Sequence, residues 1–233
     1  DKKIRDTYDI SLVKGDLSEK ALKKIMESDV AIFTEGNYPF LHKPDRNHPI
    51  IIDLWHAFPV KAMGYVDKGE LFKDLIKGTW DNVNYITSYS ICFNKKFNEC
   101  ISTDLSKYVV TGAQRNDLLF ITDGRKNLEV LFKENFKDKK FIFYMPTYRY
   151  TPRGNKTEGN RKWKNIFDFP DFDMDSFVNF LEANDIIFIV KLHPAEEAVF
   201  AEKIPLGKNI RILTNILLEQ NGMELYETLN AAD

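Results

Sequence analysis

The sequence predicts an α/β fold in which parallel sheets carry helices on both faces. Two observations lead to this prediction. Apolar runs of strand length alternate along the whole chain with segments of helical period. Some of the runs, such as PIIIDLW at 49–55, are apolar at almost every position, which is typical of buried strands. No internal repeat or low-complexity segment interrupts the alternation.

The predicted strands follow from these apolar runs. The run at 107–113 contains Gly112 next to its end, and the run at 139–149 is broken by Pro146, which cannot donate to a ladder. In chain order the strands are expected at 8–15, 30–36, 49–55, 84–90, 107–113, 139–149, 186–194 and 208–214.

The predicted helices follow from apolar residues at helical spacing. The first places Ala21, Ile25 and Met26 on one face, with Ser18 close to an N-cap position. In chain order the helices are expected at 17–29, 68–80, 95–104, 115–120, 124–136, 174–185 and 222–233.

The charged segment 133–140 is the predicted boundary between two domains, because the strand–helix alternation restarts after it. We expect two Rossmann-like halves that face a cleft, residues 1–135 and 136–233. The chain begins without methionine, and its last predicted helix ends in LNAAD, which normally leads into another buried strand. Both domains are therefore expected to be partial, and the chain truncated at both ends.

The composition is that of a globular protein, with 43% hydrophobic residues, 29% charged residues and a formal net charge of −2. This nearly neutral charge does not indicate the strongly basic surface that is typical of proteins that bind nucleic acid. No apolar run approaches the ~18 residues that span a bilayer, and the charged start is not a signal peptide. Cys92 and Cys100 are expected to be reduced, half-buried thiols of a cytosolic protein.

His56 follows a predicted strand at its carboxyl end, where α/β proteins build their sites. A neutral imidazole at this position can act as a general base. Lys61 is close enough in sequence to place an ammonium near a bound phosphate. A hydrogen bond between His56 and a loop carbonyl explains the histidine equally well, so the residues alone leave both interpretations open.

Arg115 and Asn116 follow Gly112, at which the chain can turn tightly after a strand. An N-cap at Asn116 or Asp117 is the favoured explanation for this segment. The alternative is an anion site built from the amides at the helix start together with Arg115.

Thr147 and Arg149 follow Pro146 at the end of an apolar strand. A guanidinium there matches phosphate oxygens in a bidentate manner. The alternative is a surface pair with a carboxylate, and phosphate binding is slightly favoured.

Lys191 and His193 alternate with Leu192 at the end of a strongly apolar strand, so we expect them on one face of the sheet. A lysine there must find a partner or reach solvent. Two such residues at a strand tip are unusual for packing, which favours anion binding. No pair of histidines has the spacing of a metalloprotease, and no metal site is predicted.

Cationic side chains are thus predicted at the carboxyl ends of strands in both halves. This arrangement suits a nucleotide diphosphate donor bound in a cleft. There is no G-x-G-x-x-G and no Walker A loop in the sequence. Dinucleotide oxidoreductases and P-loop kinases are therefore disfavoured, and no cofactor is expected.

Four motifs, LWHAFPVK, VVTGAQRND, YMPTYR and KLHP, occur in this order along the chain. With them the chain, from about Asp29 to its end, resembles the CDP-glycerol glycerophosphotransferase family, the teichoic acid polymerases and primases of bacterial cell walls and capsules. The resemblance implies a GT-B-like fold and a CDP-glycerol or similar CDP-polyol donor. It also implies a lipid-linked or polymeric polyol phosphate or glycan as acceptor, and a cytoplasmic location, peripheral on the inner face of the cell membrane.

The resemblance also implies roles for the matched residues. His56 would be the catalytic base of the acceptor-side domain, taking the proton of the acceptor hydroxyl as it attacks the β-phosphorus and CMP leaves. In the donor-binding domain, the donor-binding residues would be Thr147, Arg149, Lys191 and His193. Further contacts to phosphate or acceptor are expected from Lys61, Arg115 and Asn116.

The chain departs from the family pattern at two places. Ala57-Phe58 stands where the family has Gly-Thr, and Ala113-Gln114 where it has an aromatic residue and proline. We expect the bulk of Phe58 to reshape the acceptor pocket. The family's Thr-Asp-Tyr-Ser-Ser segment would follow Asp233, so an incomplete donor site and little activity are expected from this chain alone. Two alternatives remain: a GT-B glycosyltransferase that uses a nucleotide sugar, and a non-catalytic module that binds a nucleotide or polyanion.

Overall fold

The computed structural model describes residues 7–11, 18–34, 49–71, 73–147, 167, 169, 171–194, 196–197, 201 and 207–233. The chain divides into two compact units, Asp1–Gln114 and Arg115–Asp233. Each unit contains one sheet, and every strand pair described is parallel. The predicted α/β class is confirmed.

The first unit contains a sheet whose strands lie side by side in chain order. The strands are β1 (Val30–Phe33), β2 (Ile50–Asp53), β3 (Tyr85–Ser88) and β4 (Tyr108–Val110). The helices are α1 (Glu19–Met26), α2 (Lys73–Asp81) and α3 (Ile91–Ile101), with short 3-10 helices at Gly64–Val66 and Leu105–Lys107. Ser18 caps α1 as predicted, because its hydroxyl accepts a hydrogen bond from the amide of Ala21.

The core of the first unit lies on one face of its sheet. Ile51, Ile86 and Tyr108 pack there against aromatic residues of α2 and α3. On the opposite face, five apolar side chains remain 43–61% exposed. They are Val30, Ile32, Ile50, Tyr85 and Val109. Within the described part of this unit, helices therefore cover one face rather than the two predicted.

The second unit contains a sheet with the order β5-β6-β7. Its strands are β5 (Lys140–Tyr144), β6 (Ile186–Val190) and β7 (Ile210–Ile212). Its helices are α4 (Leu118–Ile121), α5 (Gly124–Phe132), α6 (Met174–Ala183), α7 (Asn215–Gln220) and α8 (Tyr226–Leu229), and a 3-10 helix spans Gln114–Asp117. Buried clusters lie on both faces of this sheet, as predicted.

The division between the units falls earlier in the chain than the predicted boundary between residues 135 and 136. Helix α5 accounts for the difference, because Leu128 and Leu131 are buried in one cluster with Phe141 and Ile187. The helix therefore packs on the second sheet, although its position in the chain predicts it in the first domain.

Several element predictions need correction. Residues 8–11 of the predicted first strand are not in a strand, and the rest of that prediction lies outside the described residues. Helix α3 starts at Ile91, before its predicted start, because Ser90 accepts a hydrogen bond from the amide of Phe93. Helix α7 was not predicted, and it is capped by Thr214.

Candidate functional site

The carboxyl ends of β1, β2 and β3 meet at one edge of the first sheet and position His56 there. His56 Nδ1 lies 2.9 Å from the backbone oxygen of Thr34, which follows β1. A carbonyl oxygen only accepts hydrogen bonds, so Nδ1 carries the proton and Nε2 is the basic nitrogen of the neutral ring. The imidazole is exposed.

Both interpretations of His56 from the sequence are therefore compatible. The ring does contact a loop carbonyl, and this contact favours the tautomer in which Nε2 can take a proton. A backbone carbonyl that orients the ring in this way is a common arrangement for a histidine base.

The chain between β2 and His56 is closely tied to the neighbouring strands. The amide of Leu54 donates to the backbone oxygen of Phe33 at 2.8 Å. The hydroxyl of Thr87 donates to the backbone oxygen of Leu54 at 3.0 Å. Asp53 is fully buried, and its carboxylate accepts a hydrogen bond from the amide of Trp55 at 2.6 Å. These bonds fix the segment that leads to His56.

Lys61 lies with His56 in the loop that follows β2, and its side chain is exposed. Phe58, at the place where the chain departs from the family pattern, is 40% exposed. Its ring makes an edge contact with Phe93 of α3, with centroids 5.8 Å apart. The loop next to the histidine is thus anchored on α3 by an aromatic pair.

Gly112 makes the tight turn that the sequence predicts after β4. Its φ is +77°, and its amide and that of Thr111 both donate to the backbone oxygen of Ser88 at 3.0 Å.

Arg115 and Asn116 lie in the 3-10 helix Gln114–Asp117, and both side chains are exposed. The guanidinium of Arg115 lies over the ring of Tyr226, 5.2 Å from its centroid. Asp117 has helical backbone angles and makes no side-chain cap hydrogen bond. The N-cap interpretation is therefore wrong for Asp117.

The second unit brings Thr147 and His193 to the carboxyl edge of its sheet. Thr147 follows β5, His193 follows β6, and the amide of Lys191 donates to the backbone oxygen of Tyr144 at 3.0 Å. Both side chains are exposed. Arg149 lies outside the described residues.

Lys191 does not share a face of the strand with His193, because β6 already ends at Val190. The side chain of Lys191 is buried while that of His193 is exposed. Its ammonium donates to the carboxylate of Glu197 at 2.6 Å and to the backbone oxygen of Leu192 at 3.0 Å. The lysine thus has the partner that its burial requires.

Glu197 was not identified from the sequence. Its second carboxylate oxygen accepts a hydrogen bond from the amide of Asn215 at 2.6 Å, at the first residue of α7. The backbone oxygen of His193 accepts bonds from the amides of Glu196 and Glu197. Glu197 therefore ties the turn that carries His193 to α7.

No group of three or more histidine, cysteine, aspartate or glutamate residues that could hold a metal ion occurs in the described part of the chain. Among the helices described, none has the length and apolar character needed to cross a membrane.

Comparison with solved structures shows the same fold in a wall teichoic acid polymerase, TagF. The similarity has a TM-score of 0.66 at 17% identity, and it covers 93% of this chain and 51% of TagF. A histidine-to-alanine variant of TagF matches with a TM-score of 0.67 at 18% identity over 93% of this chain and 51% of that one. A histidine-to-asparagine variant with CDPG matches with a TM-score of 0.64 at 17% identity, over 93% and 50%.

The chain therefore spans about half the length of the solved structures that it matches. The predicted GT-B-like fold class is confirmed by this similarity. A search of curated proteins gives no significant match.

Comparison with family models gives a match over residues 6–226, nearly the whole chain, to the family described as CDP-glycerol:poly(glycerophosphate) glycerophosphotransferase. The family that the four motifs indicate is thereby confirmed. The chain belongs to the CDP-glycerol:poly(glycerophosphate) glycerophosphotransferase family.

Proposed function

We propose that this protein transfers glycerol phosphate, or a related polyol phosphate, from a CDP-linked donor to a hydroxyl of a growing teichoic-acid-like or capsular polymer, with release of CMP. Membership of the family supports the donor class and the reaction. The observation that carries the proposal is the exposed imidazole of His56, whose Nδ1 contacts the backbone oxygen of Thr34.

In the proposed reaction, Nε2 of His56 removes the proton from the acceptor hydroxyl. The hydroxyl oxygen forms a bond to the β-phosphorus of the donor, and the bond from that phosphorus to the oxygen of CMP breaks. Positioning and electrostatic stabilisation supply most of the catalysis in such a phosphoryl transfer.

The donor phosphates are assigned to the second unit. Thr147 and His193, exposed at the carboxyl edge of its sheet, are proposed to contact them, together with Arg149. The ammonium of Lys191 instead holds Glu197, so we assign Lys191 to support the turn that carries His193. Lys61, Arg115 and Asn116 remain proposed contacts to phosphate or acceptor.

The acceptor is proposed to be lipid-linked or polymeric, which would place the protein on the inner face of the cell membrane. Family resemblance supports this assignment. Co-sedimentation of the protein with vesicles that carry the lipid-linked acceptor tests it, and equal recovery with and without vesicles would contradict it.

The His56→Ala variant of the native protein tests the proposed base. Turnover, followed as release of CMP from CDP-glycerol, is expected to fall by about 10²–10⁴-fold, the usual contribution of a general base. Donor affinity, measured by calorimetry, is expected to be unchanged. Lys96→Ala is the control, since this exposed side chain pairs with Glu99 on α3. Unchanged turnover in His56→Ala would contradict the base role.

A donor screen tests the reaction class. CDP-glycerol, CDP-ribitol and UDP-sugars are each supplied with acceptor, and the released nucleotide is identified. Release of CMP from the CDP-polyols supports the proposal, whereas UDP release would indicate glycosyl transfer. Donor binding without release of either nucleotide would indicate a binding module.

A further inference from the structure

Trp55, the residue before His56, has a left-handed backbone conformation with φ of +50°. This region is costly for any residue that carries a Cβ atom, and most costly for large side chains. Residues held in such conformations cluster at functional sites and persist only where the surroundings over-determine them. The strain at Trp55 therefore calls for an explanation in terms of its neighbours.

The buried carboxylate of Asp53 provides one restraint. It is the last residue of β2, it is fully buried, and its Oδ1 accepts the hydrogen bond from the amide of Trp55 at 2.6 Å. An acceptor two residues before the amide closes a local turn of the kind that aspartate favours. The bond holds the backbone of Trp55 in its left-handed conformation.

The indole ring of Trp55 provides a second restraint. It packs against Phe97 with ring centroids 4.6 Å apart and against Trp80 with centroids 5.9 Å apart. It also contacts the imidazole of His56, at 4.4 Å between ring centroids. The His56 ring thus lies against the indole, while its Nδ1 contacts the backbone oxygen of Thr34.

We infer that Asp53 and Trp55 are positioning residues for His56: the buried carboxylate holds the strained turn, and the turn sets the imidazole against the indole and the Thr34 carbonyl. The inference rests on the proposed function of His56 as the base. Asp53 acts through the amide of Trp55 and not on the reacting atoms. The arrangement requires of Asp53 an oxygen that accepts the hydrogen bond from the Trp55 amide.

Nuclear magnetic resonance of the His56 ring tests the positioning directly and needs no turnover. In the native protein the nitrogen shifts are expected to show the tautomer with the proton on Nδ1. In Asp53→Ala the shifts are expected to move toward a mixture of tautomers, because the ring no longer has a fixed acceptor. In Asp53→Asn, which retains an acceptor oxygen for the Trp55 amide, they are expected to stay close to the native values.

Kinetics of the same variants test the consequence for the reaction. Asp53→Ala is expected to lower kcat by roughly 10–100-fold with little change in the KM for the donor, since a small misplacement of a catalytic group costs about that much. Asp53→Asn is expected to recover most of this loss. Equal loss in both variants would overturn the inference, because it would show that an acceptor oxygen at residue 53 is not enough to position His56.

Variants of Trp55 keep the inference testable if Asp53→Ala does not fold. Trp55→Gly and Trp55→Ala both remove the indole, but only glycine adopts the left-handed conformation without strain. A higher kcat in Trp55→Gly than in Trp55→Ala supports the inference, and equal values contradict it.

The outcomes separate this inference from the proposed function. If His56→Ala keeps its turnover while Asp53→Ala changes the His56 shifts, the positioning stands and the base role fails. If Asp53→Ala leaves both the shifts and kcat at native values, the positioning is wrong whatever His56→Ala shows.

Discussion

The ammonium of Lys191 lies 2.6 Å from Oε2 of Glu197, and both side chains are buried. The carboxylate also accepts a hydrogen bond from the amide of Asn215, so the pair joins the end of β6 to the start of α7. A buried ion pair of this kind gains little over apolar packing, but removal of one partner leaves an uncompensated charge.

Lys191→Met is therefore expected to destabilise the protein strongly. It leaves the carboxylate of Glu197 buried without its cation, at a cost of about 3–5 kcal/mol in the free energy of unfolding. Lys191→Met/Glu197→Gln removes the charge and keeps an oxygen for the amide of Asn215, so it is expected to recover much of the loss. Urea unfolding measures both variants.

The control for this prediction is Lys208→Met in the same unit. Lys208 pairs with Glu182 at 3.7 Å and is largely exposed, so the expected change is below about 1 kcal/mol. Donor affinity separates a structural role from a binding role for Lys191. If the double variant regains stability but does not bind donor, a purely structural role for Lys191 is contradicted.

Gly124→Ala is expected to destabilise the second unit by about 1–3 kcal/mol, the usual cost of overpacking. A Cβ atom at Gly124 would lie 2.6 Å from the backbone oxygen of Thr228 and 2.8 Å from the amide of Ala231. It would also displace the side chain of Asn230, which accepts the hydrogen bond from the amide of Gly124.

Gly69→Ala is the matched control for Gly124→Ala. The nearest atom to its Cβ would be a carboxylate oxygen of Asp67 at 3.4 Å, an ordinary contact, so the change is expected to stay within about 0.5 kcal/mol. Thermal unfolding measures both variants. Equal stability of the two would show that the start of α5 does not pack closely on the C-terminal residues.

The strands could be predicted from the sequence because their apolar runs are unambiguous, as IIFIV at β6 shows. Helix α7 was missed because it is short and its signal is one threonine cap followed by NILLEQ. The boundary was misplaced because local pattern does not tell on which sheet a helix such as α5 packs. That choice depends on contacts between residues distant in sequence, such as Leu128 and Ile187.

The candidate site was predicted in outline only. The carboxyl ends of parallel strands meet at one edge, so the position of His56 at such an edge could be expected. The pairing of Lys191 with Glu197 could not be predicted, because a lysine charge suits an anionic ligand and a buried carboxylate equally well. The left-handed conformation of Trp55 could not be predicted either, because in a sequence this conformation is normally indicated by a glycine.

Acid is expected to weaken the second unit through Glu134. The hydrogen bonds from Arg211, at 2.7 Å from Nε and 2.5 Å from Nη2, hold the pKa of Glu134 below its usual value. The folded state therefore binds this proton less readily than the unfolded chain does. The resulting stability is present above the ordinary glutamate pKa of 4.5 and is lost as the pH falls through the lower, folded value.

Urea unfolding over the acid range measures this contribution. In Glu134→Gln the stability is expected to fall less steeply with decreasing pH than in the native protein, because the titrating group is gone. Glu219→Gln removes one carboxylate from α7 of the same unit and serves as the control against which the slope of Glu134→Gln is compared. An identical slope in Glu134→Gln and the native protein would contradict the prediction.

The two cysteines are expected to differ strongly in reactivity, since they are not both half-buried as the sequence suggested. Cys92 is exposed near the start of α3, whereas Cys100 is buried, and burial raises the pKa of the Cys100 thiol. The thiolate is the reactive form, so the Cys100 thiol is both less accessible to a reagent and less ionised. Mass spectrometry after brief treatment with iodoacetamide at neutral pH should find the label on Cys92 and little on Cys100.

In urea both should react, and in Cys92→Ser the folded protein should remain almost unlabelled. Equal labelling of the two thiols in the folded native protein would show that α3 opens readily and does not hold the aromatic core closed around Phe97.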